Sequence, residues 1–391
     1  MKIEQIIILA NKYPNQIEKN VNVFTQQLTW CFADMGISCK VICPKPIGYE
    51  KMKARLKSFQ IEKSENGKII EIYRPTYLSF GQSNSLFQKQ RVSITTNNYI
   101  SAVDRVLSKF NLKNTVLFAE FICPSSVAAS QLGIKYKIPA FMQCGEATYQ
   151  GDKKYGNEHL SKLLSGLTGA VALSGQNKGF LVDNGLISSD KVLVLPSGYR
   201  RDRFFSRNKI IARKKMGLPI DKFIVGFCGS YDERKGVKRL EKAIEQTKDI
   251  YFACVGKGPR EFCPISKKCL MSKVVNHDEL SWFYNSLDIF VMPTYNEGSC
   301  TAIVEAIACG LPIISSDRSF NYEICDSTNS LLIEPDDIEA LKKSLLLLYN
   351  DDELRRKLSH GSYEKSKYLS LDDKVKKMIA FIEYRLSLKK G

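Results

Sequence analysis

Apolar positions along the chain gather into short runs, separated by polar stretches whose apolar residues recur every three or four positions. Ile6-Ile7-Ile8-Leu9-Ala10 is one such run and predicts a buried strand over 4–10. A polar turn through Pro14 comes next, then a helical spacing over 23–35, a helix stop at Gly36, and a strand over 38–43. A βαβ opening of this kind implies a parallel sheet. Later runs predict strands at 69–73, 115–118, 140–143, 170–173 and 192–195, with helices at 98–110 and 127–135 between them. Pro196-Ser197-Gly198 interrupts the alternation, and a polar, Arg-rich segment runs to about Asn208. A second alternation then begins: strands at 223–228, 251–255, 288–292 and 311–315, helices at 237–247, 280–285 and 338–349. A last amphipathic helix, 372–388, carries Val375, Ile379, Ile382 and Leu386 close to one face. The expected fold is α/β: two doubly wound, Rossmann-like domains facing a cleft, 1–196 and 197–371, with the helix 372–391 packing back on or near the first. Ligands of such sheets bind beyond the carboxyl ends of the strands, here expected in the cleft between the domains.

One stretch departs from these ordinary units. In 295–317, YNEGSCTAIVEAIACGLPIISSD, the only charge between Gly298 and Ser316 is Glu305. It lies on a helix whose spacing buries Ala302, Ile303, Ala306 and Ile307 together, where an ionised carboxylate is costly without a partner. Glu297 sits eight residues earlier, in the turn that ends the strand through Met292. Strand, glycine turn and helix leave the N–H groups of Ser299, Cys300 and Thr301 free at a positive helix end, a natural anion site. The arrangement suits a ligand with a phosphate centre and hydroxyls on either side. An ordinary βα unit with one capping and one surface glutamate would account for Glu297 alone, but not for the pair.

Composition narrows the class without naming the ligand. The length of 391 residues fits two or three domains, and 44% apolar with 25% charged residues is a globular balance. No apolar run approaches a membrane span. Met1 is followed at once by the first strand, so no signal peptide is expected. The 12 cysteines form no C-x-x-C pair and several lie in apolar runs, which predicts reduced thiols in a cytoplasmic protein. The net charge of +17 is concentrated in residues 1–200, with 25 Lys and Arg against 14 acids. That excess implies polyanionic surroundings: nucleic acid, anionic lipid or a phosphate-bearing substrate.

Three weaker constellations come after predicted strands. Gly229-Ser230-Tyr-Asp-Glu-Arg234-Lys235-Gly236 puts two cations in one loop, where either could reach a phosphate, although basic loops are ordinarily just solvated. Val255-Gly256-Lys-Gly-Pro is a glycine turn lacking the third glycine of a dinucleotide fingerprint. Val275-Asn276-His277 ends a short predicted strand, Val274-Val275, and its histidine reads as structural.

Together these residues resemble the retaining glycosyltransferases of family 4, which have the two-domain GT-B fold. Glu297 and Glu305 match the family's E-x7-E element, with Ala308-Cys-Gly-Leu-Pro-Ile-Ile-Ser315 as its continuation. Lys235-Gly236, Val255-Gly-Lys-Gly-Pro, His277-Asp-Glu-Leu and the segment from Leu195-Pro-Ser-Gly to Arg203-Phe204 are also similar. Tyr13-Pro14-Asn15 and Phe24-Thr25-Gln26-Gln27 are similar to members that build bacterial surface polysaccharides. The resemblance implies that Glu305 binds the ribose of a nucleotide-diphosphate sugar, a UDP-sugar first of all, and that Glu297 binds hydroxyls of the sugar. Ser299, Cys300 and Thr301 with Gly298 would cradle the diphosphate, and Lys235 would neutralise it. Gly229, Ser230 and Gly256 would line it, and the base would lie near Val275 and Asn276. The resemblance also implies transfer with retention by same-face attack, in which the departing diphosphate takes the acceptor's proton. No D-x-D motif occurs, and no metal or other cofactor is implied.

The departures from the family lie mostly in the first domain. Ser230, in the second, stands where an arginine is usual, and Arg234 is expected to substitute. Asn20-Val21-Asn22 occupies the region of the family's Gly-Gly loop. The usual first-domain histidine is absent. Glu120 or Glu146 stands in that region, either to hold a sugar hydroxyl, to orient the acceptor, or with a structural role. The implied acceptor is a saccharide or a lipid-linked saccharide. Lys51, Lys53, Arg55 and Lys57 interleave with Met52, Leu56 and Phe59 near a helical face. They make peripheral docking on the anionic inner face of a membrane a further expectation. The rivals are a non-hydrolysing nucleotide-sugar epimerase and a non-catalytic, glycosyltransferase-like subunit. Nucleic acid is not an expected partner, because the basic residues form no recognisable reader module.

Overall fold

The structure is a computed structural model that describes residues 2–19, 21–47, 56–80 and 88–388. The chain forms two compact units, Met1–Leu195 with Val375–Gly391, and Pro196–Lys374. The break falls at Pro196, where 197 was expected, and the tail joins the first unit from Val375, where 372 was expected.

In the first unit the strands are β1 (Gln5–Leu9), β2 (Ser38–Ile42), β3 (Lys45–Pro46), β4 (Phe59–Lys63), β5 (Ile69–Tyr73), β6 (Thr76–Tyr77), β7 (Thr115–Glu120), β8 (Ala140–Cys144), β9 (Leu167–Ala172) and β10 (Val192–Val194). Eight form one sheet in the order β10-β9-β8-β7-β1-β2-β5-β4, while β3 and β6 pair separately. Every neighbouring pair of the large sheet is parallel except β4 with β5. Ile6 to Leu9 have no exposed surface because helices cover both faces of a parallel sheet, so this strand reads as an unbroken apolar run. The chain leaves β1 for β2 on one side and later returns to β7 on the other. That makes the β1–β7 pair the switch point where the loops after the strands diverge. Asn11 Nδ2 ties the two loops by donating to the Cys123 carbonyl at 3.0 Å.

The second unit has β11 (Phe223–Cys228), β12 (Ile250–Val255), β13 (Cys269–Lys273), β14 (Ile289–Met292), β15 (Ile313–Ser316) and β16 (Ser330–Ile333). They form one wholly parallel sheet in the order β13-β12-β11-β14-β15-β16. Here the direction reverses between β11 and β14, so the loops after these two strands flank the switch point. Their apolar residues and those of the covering helices make one continuous core.

Several expectations need correction. The strand placed at Val274-Val275 lies at Cys269–Lys273, because pairing with β12 ends where Lys273 meets Val255, and Val274 is 57% exposed. The strand expected from 311 begins at Ile313, after Pro312, which has no N–H to donate to a ladder. The helix expected at 98–110 is Gln88–Leu107. Of the helical face drawn through Lys51, Lys53, Arg55, Lys57 and Phe59, residues 51–55 lie outside the described residues. Its last member is in a strand: Phe59 opens the antiparallel β4, where it pairs with Tyr73, ring centroids 5.1 Å apart. The helices Lys209–Met216 and Asp352–Ser366 come in addition to those expected. Among the described residues no helix is long and apolar enough to cross a membrane.

Candidate active site

The turn after β14 and the loop after β11 meet at the switch point of the second unit. Glu297, 9% exposed, accepts on Oε1 from both Arg234 Nη1 at 2.5 Å and Lys235 Nζ at 2.6 Å, and Thr294 Oγ1 lies 3.2 Å from the same oxygen. Burial weakens the charge of Lys235, but the adjacent Cys300 thiol and Glu297 carboxylate outweigh it and hold its pKa above the ordinary lysine value. Two cations thus share one carboxylate oxygen, which leaves positive charge in excess at this point of the sheet. Beside them, the N–H groups of Ser299 and Cys300 donate no hydrogen bond among the described residues. Thr301 opens the helix Thr301–Ala308, whose first N–H has no partner within the helix. Excess cations and unspent donors together form a seat for a polyanion.

Glu305 is one turn into that helix and 6% exposed. Sequence alone leaves it without a partner; the fold supplies one and sets a histidine nearby. The buried hydroxyl of Tyr284 donates to Oε2 at 2.9 Å, and His277 Nε2 lies 3.6 Å from Oε1. Phe204 packs edge-on against the rings of both His277 and Tyr284. Arg203 Nη1 approaches His277 Nδ1 at 3.3 Å and pairs with Asp278 at 3.0 Å. Oε2 is therefore taken up by the core and Oε1 faces the His277 side.

Close backbone packing sets the loops around the two acids. Gly256, at φ +154°, lies so near the end of β11 that a Cβ would stand 1.8 Å from the Gly229 carbonyl oxygen. Ser230 Oγ and the Lys235 N–H both bond Asp232, which folds the basic loop back on itself. Gly236, at φ +83°, precedes the helix Val237–Glu245, and a Cβ there would meet the Pro293 carbonyl oxygen at 2.5 Å. The buried Arg239 fastens the two sides: Nη2 donates to Pro293 O at 2.8 Å and to Arg234 O at 3.2 Å, with its guanidinium 3.8 Å over the Tyr295 ring. Ser197 joins the same turn, its N–H donating to Ser299 Oγ at 2.9 Å. Val275 and Asn276 come after β13. Asn276 caps the short turn His277–Glu279 and so brings His277 to Glu305.

The second-unit candidates named from the sequence are Gly229, Ser230, Arg234, Lys235, Gly256, Val275, Asn276, Glu297, Gly298, Ser299, Cys300, Thr301 and Glu305. All of them come after β11, β12, β13 or β14. Glu120 and Glu146 belong to the first unit, at the carboxyl ends of β7 and β8. Glu120 is buried and is bonded by Thr25 Oγ1. Glu146 is partly exposed and accepts from the N–H groups of Ile122 and Gly145, the latter at 3.0 Å. Burial nevertheless pushes its carboxyl above the ordinary glutamate value. Between them Phe121 holds φ +66°, a conformation that is strained for an aromatic residue.

Sequence reasoning misses Tyr284 and Arg239. For Arg239 a signal exists: an arginine between Val237 and Leu240, in a helix whose apolar spacing already faces the core. Tyr284 carries none, since a tyrosine in an apolar helix has the pattern of any core aromatic.

Known proteins bear on this geometry. Residues 208–365 match the family described as glycosyl transferases group 1. The putative teichuronic acid biosynthesis glycosyltransferase TuaC of Bacillus subtilis is 24% identical over 368 residues, 92% of this chain and 93% of its own length. The capsular polysaccharide biosynthesis glycosyltransferase CapM of Staphylococcus aureus is 24% identical over 212 residues, 50% of this chain and 55% of its own. Among solved structures, sucrose-phosphate synthase of Thermosynechococcus elongatus superposes with a TM-score of 0.77 at 17% identity, over 99% of this chain and 100% of that one. Anabaena HepE in complex with UDP gives 0.72 at 12%, over 98% and 100%. Fold and relatives define the class as a glycosyltransferase with the GT-B fold. Within that class, the segment that is similar to the group 1 family lies in the second unit.

Proposed function

We propose that the enzyme transfers a sugar, with retention of configuration, from a UDP-sugar to a saccharide or lipid-linked saccharide acceptor in surface polysaccharide synthesis. The observation that carries this reading is the pair Glu297 and Glu305 on either side of the Ser299–Thr301 turn, with Lys235 and Arg234 already gathered there. The diphosphate occupies the turn and draws the two cations toward it. Glu305 Oε1 accepts from the ribose hydroxyls, and Glu297 accepts from hydroxyls of the sugar. As the glycosidic bond to the diphosphate breaks, negative charge grows on the leaving oxygen, and fixed cations and N–H groups stabilise it without reorganising. That oxygen then takes the proton of the acceptor hydroxyl attacking from the same face, so no protein nucleophile and no metal enters the step. HepE, solved with UDP, supports the choice of nucleotide. TuaC and CapM, named for teichuronic acid and capsular polysaccharide, support the surface-glycan assignment.

Docking on an anionic membrane from the cytoplasmic side belongs to this proposal. It is tested by flotation with liposomes with and without anionic lipid, and lipid-independent behaviour would remove it. The donor is tested by a thermal-shift screen of nucleotide sugars, because a ligand of the native state raises the melting temperature. UDP-sugars are expected to stabilise the protein more than ADP- or GDP-sugars. Release of a free, epimerised nucleotide sugar without acceptor would instead establish an epimerase, and no stabilisation by any nucleotide sugar would leave a non-catalytic subunit.

A further inference from the structure

The first unit contains a cavity of about 160 Å³ beyond the carboxyl ends of β1, β2 and β5, room for roughly five waters. Its lining includes three cations, Lys12, Lys45 and Arg74, against one acid, Glu18. Arg74 is only 3% exposed. Its guanidinium donates to Gln60 Oε1 at 3.1 Å and to the Pro14 carbonyl at 3.2 Å, both neutral acceptors. Among the described residues no carboxylate lies within ion-pair distance of it. Glu62 acts on it only from further away, and is itself spent on Gln26 Nε2 and Trp30 Nε1, each at 2.6 Å. A buried cation without a close counter-charge is expensive, and proteins ordinarily pair such groups. The Lys12 side chain is exposed and has no hydrogen-bond or ion-pair partner among the described residues. Lys45 Nζ reaches the Leu56 carbonyl at 3.1 Å. At the cavity wall the Asn11 side-chain oxygen is buried and accepts no hydrogen bond, while its nitrogen is already spent on Cys123. The wall therefore offers a buried fork of donors, an exposed point charge and one idle acceptor for a hydroxyl.

We infer that this cavity binds an oxyanion, a phosphate or carboxylate, carried by the acceptor saccharide, with Arg74 and Lys12 on the anion and Asn11 Oδ1 on an adjacent hydroxyl. The inference rests on the reading of the first unit as the acceptor side of a glycosyltransferase, and it narrows the acceptor to an anionic one. Arg74 also ties the Pro14 turn to β4, so a purely structural arginine is the competing account. Lys12 has no such tie, and it separates the two.

The test is calorimetric titration of the full-length protein, saturated with UDP so that the second unit's anion seat is filled, with inorganic phosphate, glucuronate and glucose in turn. Phosphate or glucuronate is expected to bind and glucose not, and Lys12→Ala and Arg74→Gln are each expected to weaken anion binding by about tenfold or more. UDP affinity should stay unchanged in both variants. Phosphate alone would mean a phosphorylated acceptor, and glucuronate alone an acidic sugar. Binding of neither anion, equal binding of glucose, or wild-type anion affinity in Lys12→Ala would overturn the inference. Failure of UDP itself to bind would count against the glycosyltransferase reading, while the anion titrations would still decide the cavity.

Discussion

Glu305 is an acid whose two oxygens are given different tasks by their neighbours. Tyr284 holds Oε2 from the core side, and Oε1 is left to face His277. If Oε1 takes the ribose, Glu305→Gln should weaken UDP binding about tenfold or more. Tyr284→Phe, which only frees the carboxylate to rotate, should weaken it several-fold and blur the preference for UDP over its deoxyribose analogues. Glu297→Ala should instead lower kcat, by about a hundredfold, with a smaller change in donor affinity. Calorimetry and steady-state kinetics check all three, and full activity in both glutamate variants would refute the assignment. Glu146 invites a test of stability. Its folded pKa is raised by burial, so the folded state binds this proton more tightly than the unfolded one. The stability it contributes is then complete below the ordinary value of about 4.5 and is lost as pH rises through the raised value. Thermal melts from pH 4 to 8 should show Glu146→Gln gaining on the parent protein as pH rises. A gap that stays level across that range would contradict the raised pKa.

Among the elements, the helix Val237–Glu245 does more than cover the sheet. Through Arg239 it joins the loop after β11 to the turn after β14, the two pieces of backbone that present Lys235 and Glu297. Lysine at this position could satisfy one carbonyl but not hold the fork. Arg239→Lys is expected to cost about 1–3 kcal/mol in denaturant unfolding. It should weaken UDP binding as well, although Arg239 contacts no part of the proposed ligand. Unchanged binding with lowered stability would assign it to the fold alone. The helix itself is legible from its apolar spacing, whereas its cross-brace is not. The Pro293 carbonyl that Arg239 holds lies 54 residues along the chain, beyond the reach of any local pattern.

At the scale of the molecule, the final helix shows how chain order and structural unit can disagree. Residues from Val375 onward belong with the first unit. Val375, Met378 and Ile382 have no exposed surface, Phe381 meets Phe141 with ring centroids 6.2 Å apart, and Arg385 donates to the Thr168 carbonyl at 3.2 Å. Burying such side chains stabilises by about 1.5–3 kcal/mol each, a large share of the roughly 5–15 kcal/mol that holds a domain folded. A chain ending at Lys374 should therefore lose the first unit and keep the second. Limited proteolysis with mass spectrometry is expected to leave a fragment near 196–374, and equal survival of both halves would show the helix to be dispensable.

The parallel sheets and the turn between Glu297 and Glu305 can be read from sequence, because each depends on local periodicity, on glycine and proline, or on a short motif. Strand β4 cannot, since its Phe59 and Ile61 face outward and invert the usual pattern of burial. Nor can the partners of the charged groups. Tyr284 beside Glu305, Arg239 across two loops and Arg74 in its cavity are each set by residues distant in the chain. Local propensity determines elements and turns; only packing decides which buried charge is answered within the protein and which is left for a ligand.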